Sequence, residues 1–183
     1  MEIGAAEELE GRRISPDQPK SLAEKLVNRQ SGFTMNMRLE LLGDMDLVYR
    51  DSAFGQKFHL VRPFGSEEGW GFGEGEGSIK GEKLNGKVRW VSHSRHRGDG
   101  SVLPDADGVI KTDDGAIILF AFQGKTVWVK GMGIGRQLLS IIFETDDHRY
   151  KWLNDVFCVL EGAVDHMGMR IRSHVYVCVN EMV

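Results

Sequence analysis

Residues 69–77 read GWGFGEGEG, with a glycine at every second position. A period of two belongs to the extended strand, in which successive side chains point to opposite faces of a sheet. One face of this strand therefore carries no side chains, while the other carries two aromatic rings and two carboxylates. A bare face lets a sheet coil sharply, as barrels require, or lets a backbone or a ligand approach closely. The stretch predicts a strand of a coiled sheet, and a glycine-floored pocket is the alternative interpretation.

The composition is that of a single globular domain. The chain has 183 residues, of which 41% are hydrophobic and 27% charged, and its net charge is -4. This balance gives no basic footprint for nucleic acid or for an acidic membrane. No apolar run approaches the roughly 20 residues that span a bilayer, and the acidic N-terminus lacks the hydrophobic core of a signal peptide. We therefore expect a cytoplasmic protein in which Cys158 and Cys178 are reduced core residues.

The chain divides into a short N-terminal region and a long strand-rich domain. Residues 1–32 are predicted to form a polar arm and a short helix, which opens at the capping box Ser21–Glu24 and ends at Gly32. Residues 33–183 are predicted to form a β-barrel domain. Its predicted strands are 35–41, 45–49, 57–62, 69–77, 78–84, 86–94, 107–112, 116–122, 126–130, 140–144, 157–165 and 169–179. One short late helix is predicted over Asp146–Leu153, capped by Thr145.

This pattern of short strands, tight turns and little helix is typical of an all-β fold. Two architectures fit it, a closed antiparallel barrel and a β-sandwich. A closed barrel leaves no unpaired edge strand, so we favour it over the sandwich.

Two segments look like cofactor motifs but lack their required parts. Residues 131–135 read GMGIG after a strand, but the third glycine of a dinucleotide loop would fall at Arg136, and no βαβ pattern surrounds it. His93 and His96 could suggest a metal site, but His96 lies between Arg95 and Arg97, and neighbouring cations repel a metal. We therefore expect neither a cofactor nor a metal.

Ionisable side chains on strand-like segments mark the candidate site. In a small barrel, alternate residues face inward, where an ionisable group is costly unless it is paired. Two strand faces carry such groups: Arg89 and His93 on strand 86–94, and Arg172, His174 and Tyr176 on the last strand. Each face is either a wet outer surface or a polar lumen. Asp105 and Asp107 either share a strand face, where close carboxylates raise the pKa of one of them, or form an Asx turn.

Five segments carry a family resemblance through their order and spacing. They are GSIKGEKLNGKV at 77–88, LPDADGVI at 103–110, TDDGA at 112–116, FE at 143–144 and RYKWLN at 149–154. Together they resemble a family of small bacterial proteins, domain of unknown function 3237, also called uncharacterised protein family 0311. The resemblance runs from about residue 35 to the C-terminus. It implies a closed β-barrel of lipocalin-like proportions and no settled reaction. The chain departs from the family in its N-terminal helical extension and in the Arg95–Arg97 loop, where glycines are expected.

We expect a cofactor-independent enzyme that acts on a small apolar, preferably aromatic, molecule inside the barrel. Without a cofactor site, acid, base and electrostatic catalysis remain, as in a lyase or isomerase that dehydrates, isomerises or releases formaldehyde. The predicted catalytic residues are Asp105 or His93 as base, Arg89 or Arg172 beside developing negative charge, and Tyr176 or Tyr150 on a substrate hydroxyl. The predicted substrate-binding residues are Trp70, Phe72, Trp90, Phe120, Phe122, His174 and Tyr150. Ordinary core packing is the alternative, and it is the favoured interpretation for each aromatic taken singly.

Two other functions stay open. A carrier or sensor would have apolar walls and one orienting group, without a buried proton-transfer set. A structural subunit would have a lumen filled with side chains. The N-terminal arm and the apolar faces also predict a homodimer, so the expected partners are a small ligand and a second copy, with no nucleic acid and no membrane.

Overall fold

A computed structural model describes residues 37–50, 58–61 and 68–181 of the chain, with 58–61 as backbone. The predicted N-terminal arm and its helix lie outside these residues. Eleven strands fall within the described ranges. They are β1 (Met37–Tyr49), β2 (Phe58–Val61), β3 (Gly69–Lys80), β4 (Asn85–Ser92), β5 (Arg95–His96), β6 (Val102–Leu103), β7 (Asp105–Thr112), β8 (Ile117–Val129), β9 (Ile134–Glu144), β10 (Phe157–Asp165) and β11 (Arg170–Asn180). One 3-10 helix, Lys151–Asp155, lies between β9 and β10.

Eight of these strands close into an antiparallel barrel. The order is β3-β4-β7-β8-β9-β10-β11-β1, and β1 pairs with β3 to complete the circle. The short strands β5 and β6 lie between β3 and β8 at one end, and β2 pairs with the first half of β3. The prediction of an all-β closed antiparallel barrel is confirmed. No helix in the described ranges is long and apolar enough to cross a membrane.

Three predicted strand breaks fall inside continuous strands: the one between residues 77 and 78 lies within β3, and the other two lie at Gly43 and Gly124. Gly43 lies within β1, at a β-bulge where the pairing register with β11 shifts between Leu41 and Gly43. Gly124 lies within β8, and a side chain there would come within 2.3 Å of the backbone oxygen of Leu138. Both glycines serve a bulge or a close strand contact rather than a turn.

The late helix is shorter than predicted and starts later. The segment predicted as a helix over Asp146–Leu153 begins with turns, and the 3-10 helix starts only at Lys151. Thr145 Oγ1 accepts a hydrogen bond from the Asp147 N–H (3.2 Å), and Asp147 Oδ1 accepts one from the Arg149 N–H (3.0 Å). Such local side-chain bonds offer the backbone an alternative to helix, which explains the delayed start.

Aromatic rings from neighbouring strands fill the bare face of the glycine strand. Gly75 pairs with Trp90, and a Cβ at Gly75 would lie 2.7 Å from the indole ring of Trp90. Trp90 pairs in turn with Gly108, where a Cβ would lie 2.3 Å from the ring of Phe120. Tyr49 completes this row, since its ring meets that of Trp90 edge-on at 4.8 Å. This level of the barrel is packed core rather than a glycine-floored pocket.

One end of the barrel is filled by the 3-10 helix and braced by a cluster of hydrogen bonds. Leu153 of the helix is fully buried among the core residues. Arg149 donates to Asp114 Oδ2 (2.9 Å) and to Asp147 Oδ2 (2.7 Å), and the Tyr150 hydroxyl donates to Asp114 Oδ2 (3.0 Å). These bonds tie the segment before the helix to the turn between β7 and β8.

Candidate functional site

A cavity of about 80 Å³ opens at the other end of the barrel. It lies where β1 and β10 end and where β9 and β11 begin. Its polar lining residues are Tyr49, Ser94, His96, Thr126, Gln137 and His166. Apolar walls come from residues that include Val102, Trp128 and Val164. This space holds several water molecules or a small organic group.

Gln137 is the most deeply buried amide of the cavity. It is 7% exposed, and its Nε2 donates a hydrogen bond to Thr126 Oγ1 at 2.9 Å. Its Oε1 is buried and has no hydrogen-bond partner among the described residues. A buried acceptor without a partner costs stability, so the cavity favours a molecule that donates a hydrogen bond here.

Tyr49 brings a neutral phenol to the cavity. Burial raises the pKa of Tyr49 to about 12, so its hydroxyl stays protonated at neutral pH. Its ring is held edge-on against Trp90, within the packed row below. A protonated phenol can donate a hydrogen bond to a ligand oxygen and stabilise negative charge that develops there.

Two imidazoles reach the cavity from different elements. His96 belongs to β5, and its Nε2 atom is buried. His166 follows β10, and its ring meets the ring of Trp128 edge-on, with centroids 5.9 Å apart. Imidazole is the side chain most suited to take up and release protons near neutral pH. The cavity therefore contains groups that could perform acid–base chemistry.

The turn between β10 and β11 holds its residues over the cavity through backbone bonds. The His166 N–H donates to the Gly133 carbonyl, and the Tyr49 N–H donates to the Met169 carbonyl, both at 3.0 Å. Met169 has a φ of 48°, in the left-handed region that non-glycine residues rarely adopt. The turn is thus tied both to the end of β1 and to the turn before β9.

Most of the predicted site residues lie on the outer face of the barrel. In β4, Val88, Trp90 and Ser92 are buried, so strand alternation turns Arg89 and His93 outward. The same alternation leaves five more predicted residues exposed, namely Asp105, Arg172, His174, Trp70 and Phe72. Tyr176 is half-buried, also on the outer face. None of these side chains points into the barrel, so a site inside the barrel must be built from other residues.

The three remaining predicted aromatics in the barrel wall point inward. Trp90, Phe120 and Phe122 are buried in the core cluster, and the rings of the two phenylalanines stack at 6.0 Å. They lie in the packed part of the barrel and are not among the lining residues of the cavity. Tyr150 lies at the filled end, where burial raises the pKa of its hydroxyl.

The outward residues do not form one cluster. Trp70, His93 and Asp105 line a common outer groove, in which Gln123 Nε2 donates to Asp105 Oδ1 at 3.2 Å. Arg89 lines a different depression of the outer surface. The structure therefore brings both predicted bases, Asp105 and His93, together with Trp70. Arg89 lies in a different depression.

The last strand carries a further outward group. His174 Nδ1 lies 2.6 Å from Asp44 Oδ1, and its ring lies 6.2 Å from that of Tyr176. Arg172 pairs across the strands with Asp46, whose pKa is lowered chiefly by its hydrogen bonds from Arg170. These contacts give the outer face of β1 and β11 a set of ion pairs. Within the described residues, no group of three or more His, Cys, Asp or Glu is placed to hold a metal.

The cavity residues carry a signal that sequence reasoning did not use. Thr126 falls in the same alternation as buried Phe120 and Phe122 on β8, and Gln137 in the same alternation as Leu139 and Ile141 on β9. A polar residue in phase with buried apolar ones is an inward polar group. Extending the apolar alternation of each strand along the sequence would have identified Thr126 on β8 and Gln137 on β9 as inward polar residues.

A family model described as a protein of unknown function (DUF3237) matches residues 62–178. The chain belongs to the DUF3237 family. The matched range begins before the glycine strand β3 and ends in β11, so it takes in seven of the eight barrel strands. Among curated proteins, none matches the chain.

Solved structures share the barrel of this DUF3237 protein at low sequence identity. A β-barrel-like protein from Acinetobacter baumannii AYE is 16% identical to this chain, with a TM-score of 0.68. The alignment covers 81% of this chain and 100% of that protein. A protein of unknown function from Clostridium acetobutylicum ATCC 824 is 19% identical with a TM-score of 0.67, covering 79% and 100%. An enzyme from Penicillium herquei is 21% identical with a TM-score of 0.58, covering 81% and 98%. At these identities the likeness shows the fold.

Proposed function

We propose that this DUF3237 protein is a cofactor-independent lyase or isomerase that acts on a small, largely apolar molecule. The molecule would bind in the cavity lined by Tyr49, His96, Gln137 and His166, which we call the open-end cavity. One observation carries the proposal: a phenol, two imidazoles and a buried amide line a single cavity at one end of the barrel. Polar groups are costly to bury, so their convergence points to a bound ligand. The similarity in fold to an enzyme from Penicillium herquei is consistent with catalysis.

The chemistry follows from the groups present. The neutral hydroxyl of Tyr49 would donate to a substrate oxygen and stabilise an enolate or phenolate as it forms. His96 or His166 would take up the proton that leaves carbon or oxygen and return it to the product. Trp128 would contact an aromatic ring of the substrate. This assignment replaces Asp105, His93, Arg89 and Arg172, which lie on the outer face.

The second candidate is a non-catalytic carrier or sensor for the same kind of molecule. It is favoured by the charges of the cavity, because no Asp, Glu, Lys or Arg lies among its described lining residues. An imidazole base is commonly oriented by a carboxylate, and none is found among the lining residues that the structure describes. Binding without turnover would need only the apolar walls and the hydrogen-bonding groups.

The deciding experiment incubates the purified protein with a pool of aromatic and alicyclic metabolites, followed by chromatography and mass spectrometry. An enzyme consumes one compound without added cofactor, and the product differs from it by nothing, by water or by formaldehyde. Tyr49→Phe should slow this conversion at least about tenfold, as losing a general acid does, and so should one of the two variants His96→Gln and His166→Gln. The matched control is His93→Gln on the outer face, which should keep full activity.

Other outcomes change the assignment. A compound that is retained after desalting and never converted makes the protein a carrier. A loss of activity in His93→Gln, with full activity in Tyr49→Phe, His96→Gln and His166→Gln, would move the site to the outer groove and overturn the proposal.

A further inference from the structure

We infer that the open-end cavity selects an uncharged ligand that donates a hydrogen bond, such as a ring hydroxyl, to Gln137 Oε1. The inference rests on the proposed function, in that it names the ligand class of the same site. It follows from the hydrogen-bond inventory of Gln137 and from the charges around the cavity.

The two amide atoms of Gln137 have different demands. Its Nε2 already donates to Thr126 Oγ1, which also fixes the orientation of the amide. Its Oε1 accepts no hydrogen bond from any described residue, although Gln137 is only 7% exposed. A ligand that can only accept hydrogen bonds would leave this oxygen unsatisfied in a cavity from which it has displaced water. A ligand hydroxyl or N–H would satisfy it.

The charge of the ligand is restricted by the same lining. No lysine or arginine lies among the described residues around the cavity, so a carboxylate would leave water without gaining a permanent cationic partner. An ammonium group would likewise find no carboxylate there. The apolar walls formed by Val102, Trp128 and Val164 suit a ring or an aliphatic body. This lining therefore suits a neutral phenol, alcohol or lactam.

Three monocyclic probes separate these demands: phenol, anisole and benzoate. Phenol donates and accepts, anisole only accepts, and benzoate carries a charge. Binding to the full-length protein is measured at pH 8.0 by titration, observed through the imidazole proton signals of His96 and His166. We expect phenol to bind about 5- to 100-fold more tightly than anisole, the factor for leaving one buried acceptor unpaired. Benzoate should bind more weakly than phenol.

Two variants test whether Gln137 is the cause. Gln137→Met keeps the shape of the side chain without its amide and should reduce the preference for phenol over anisole to about twofold or less. Should this variant unfold, Gln137→Leu serves in its place. Ser173→Ala is the matched control, because Ser173 is equally buried, its Oγ also has no partner among the described residues, and it does not line the cavity. It should keep the wild-type preference.

The outcomes separate this inference from the proposed function. Equal binding of phenol and anisole, or tightest binding of benzoate, would overturn the ligand class while leaving the cavity as a binding site. A preference that survives Gln137→Met would overturn the role of Gln137. Failure of all three probes to shift the two imidazole signals would overturn the proposed function, and the inference with it.

Discussion

Replacing Gly108 with alanine tests the idea that aromatic rings occupy the space of missing side chains. A Cβ at Gly108 would lie 2.3 Å from Phe120 Cζ and 2.5 Å from the backbone oxygen of Arg89. Ordinary contacts of a Cβ begin near 3.4 Å. The ring must therefore move by about 1 Å, although Phe120 is only 4% exposed, and the carbonyl of a paired strand must move as well.

The size of the effect follows from two opposing terms. Overpacking of a dense core costs about 1–3 kcal/mol, and here both a ring and a backbone atom are displaced. Removing a glycine returns about 0.4–1 kcal/mol, because the unfolded chain loses freedom. We expect Gly108→Ala to lower the free energy of unfolding by about 1–2 kcal/mol, which is a fall in Tm of about 2–8 °C for a domain of this size.

The assay is urea unfolding followed by tryptophan fluorescence, with thermal unfolding as a second measure. Gly98→Ala is the matched control, because the methyl group would meet only the flexible side chain of Glu68, at 3.2 Å. It should change the free energy of unfolding by less than about 0.5 kcal/mol. A Gly108→Ala protein as stable as the wild type, or more stable, would refute the claim that Phe120 fills the space beside this glycine.

Two further predictions concern titratable groups. The hydrogen bonds from Arg149 hold the pKa of Asp147 below its usual range, and the Thr112 hydroxyl, followed by Tyr150 and Arg149, does the same for Asp114. A depressed pKa stabilises the fold above about pH 4, and this stability is lost as pH falls through the pKa values of the folded protein. Arg149→Met should therefore reduce the loss of unfolding free energy with falling pH, measured between about pH 4 and pH 2. An unchanged slope over this range would contradict the prediction. Burial raises the pKa of Cys158 to about 12, so in Cys178→Ser the remaining thiol should react with Ellman's reagent at pH 8 only after urea is added, and a rapid reaction of the native protein would show that Cys158 is accessible.

Strand positions were predictable where alternation is strong and both ends carry turn signals. The prediction of residues 157–165 coincides with β10, and Met169–Val179 differs from β11 by one residue at each end. Prediction failed where a glycine lies inside a strand, as at Gly43 and Gly124. A single sequence does not show whether a glycine allows a turn or the approach of a neighbouring strand, because the neighbour is distant in the chain.

The candidate site was harder to predict, because it depends on which face of each strand points inward. Arg89 and His93 alternate with buried Val88 and Trp90, so the apolar phase of this segment marks its inner face, an assignment that the prediction from sequence left open. The catalytic prediction placed the polar residues of this segment, Arg89 and His93, inside the barrel. The face that carries Trp90 was the better candidate for the inside, because large apolar side chains are more often buried than charged ones. The meeting of Tyr49 with residues of β5, β8 and β9 depends on strand register, which local sequence does not encode.

The pairing of the first barrel strand, β1, with the last, β11, has a consequence for folding during synthesis. β1 and β11 meet along their whole length, and Arg38 Nε at one end of this pairing donates to Glu181 Oε1 at 2.8 Å, across 143 positions of the chain. Contacts of such sequence separation form late and slow folding, because a long loop must first be ordered. During synthesis, β1 must therefore wait without this partner until β11 has left the ribosome. The growing chain has an exposed strand edge for nearly the whole of translation, which is when it is most prone to aggregate.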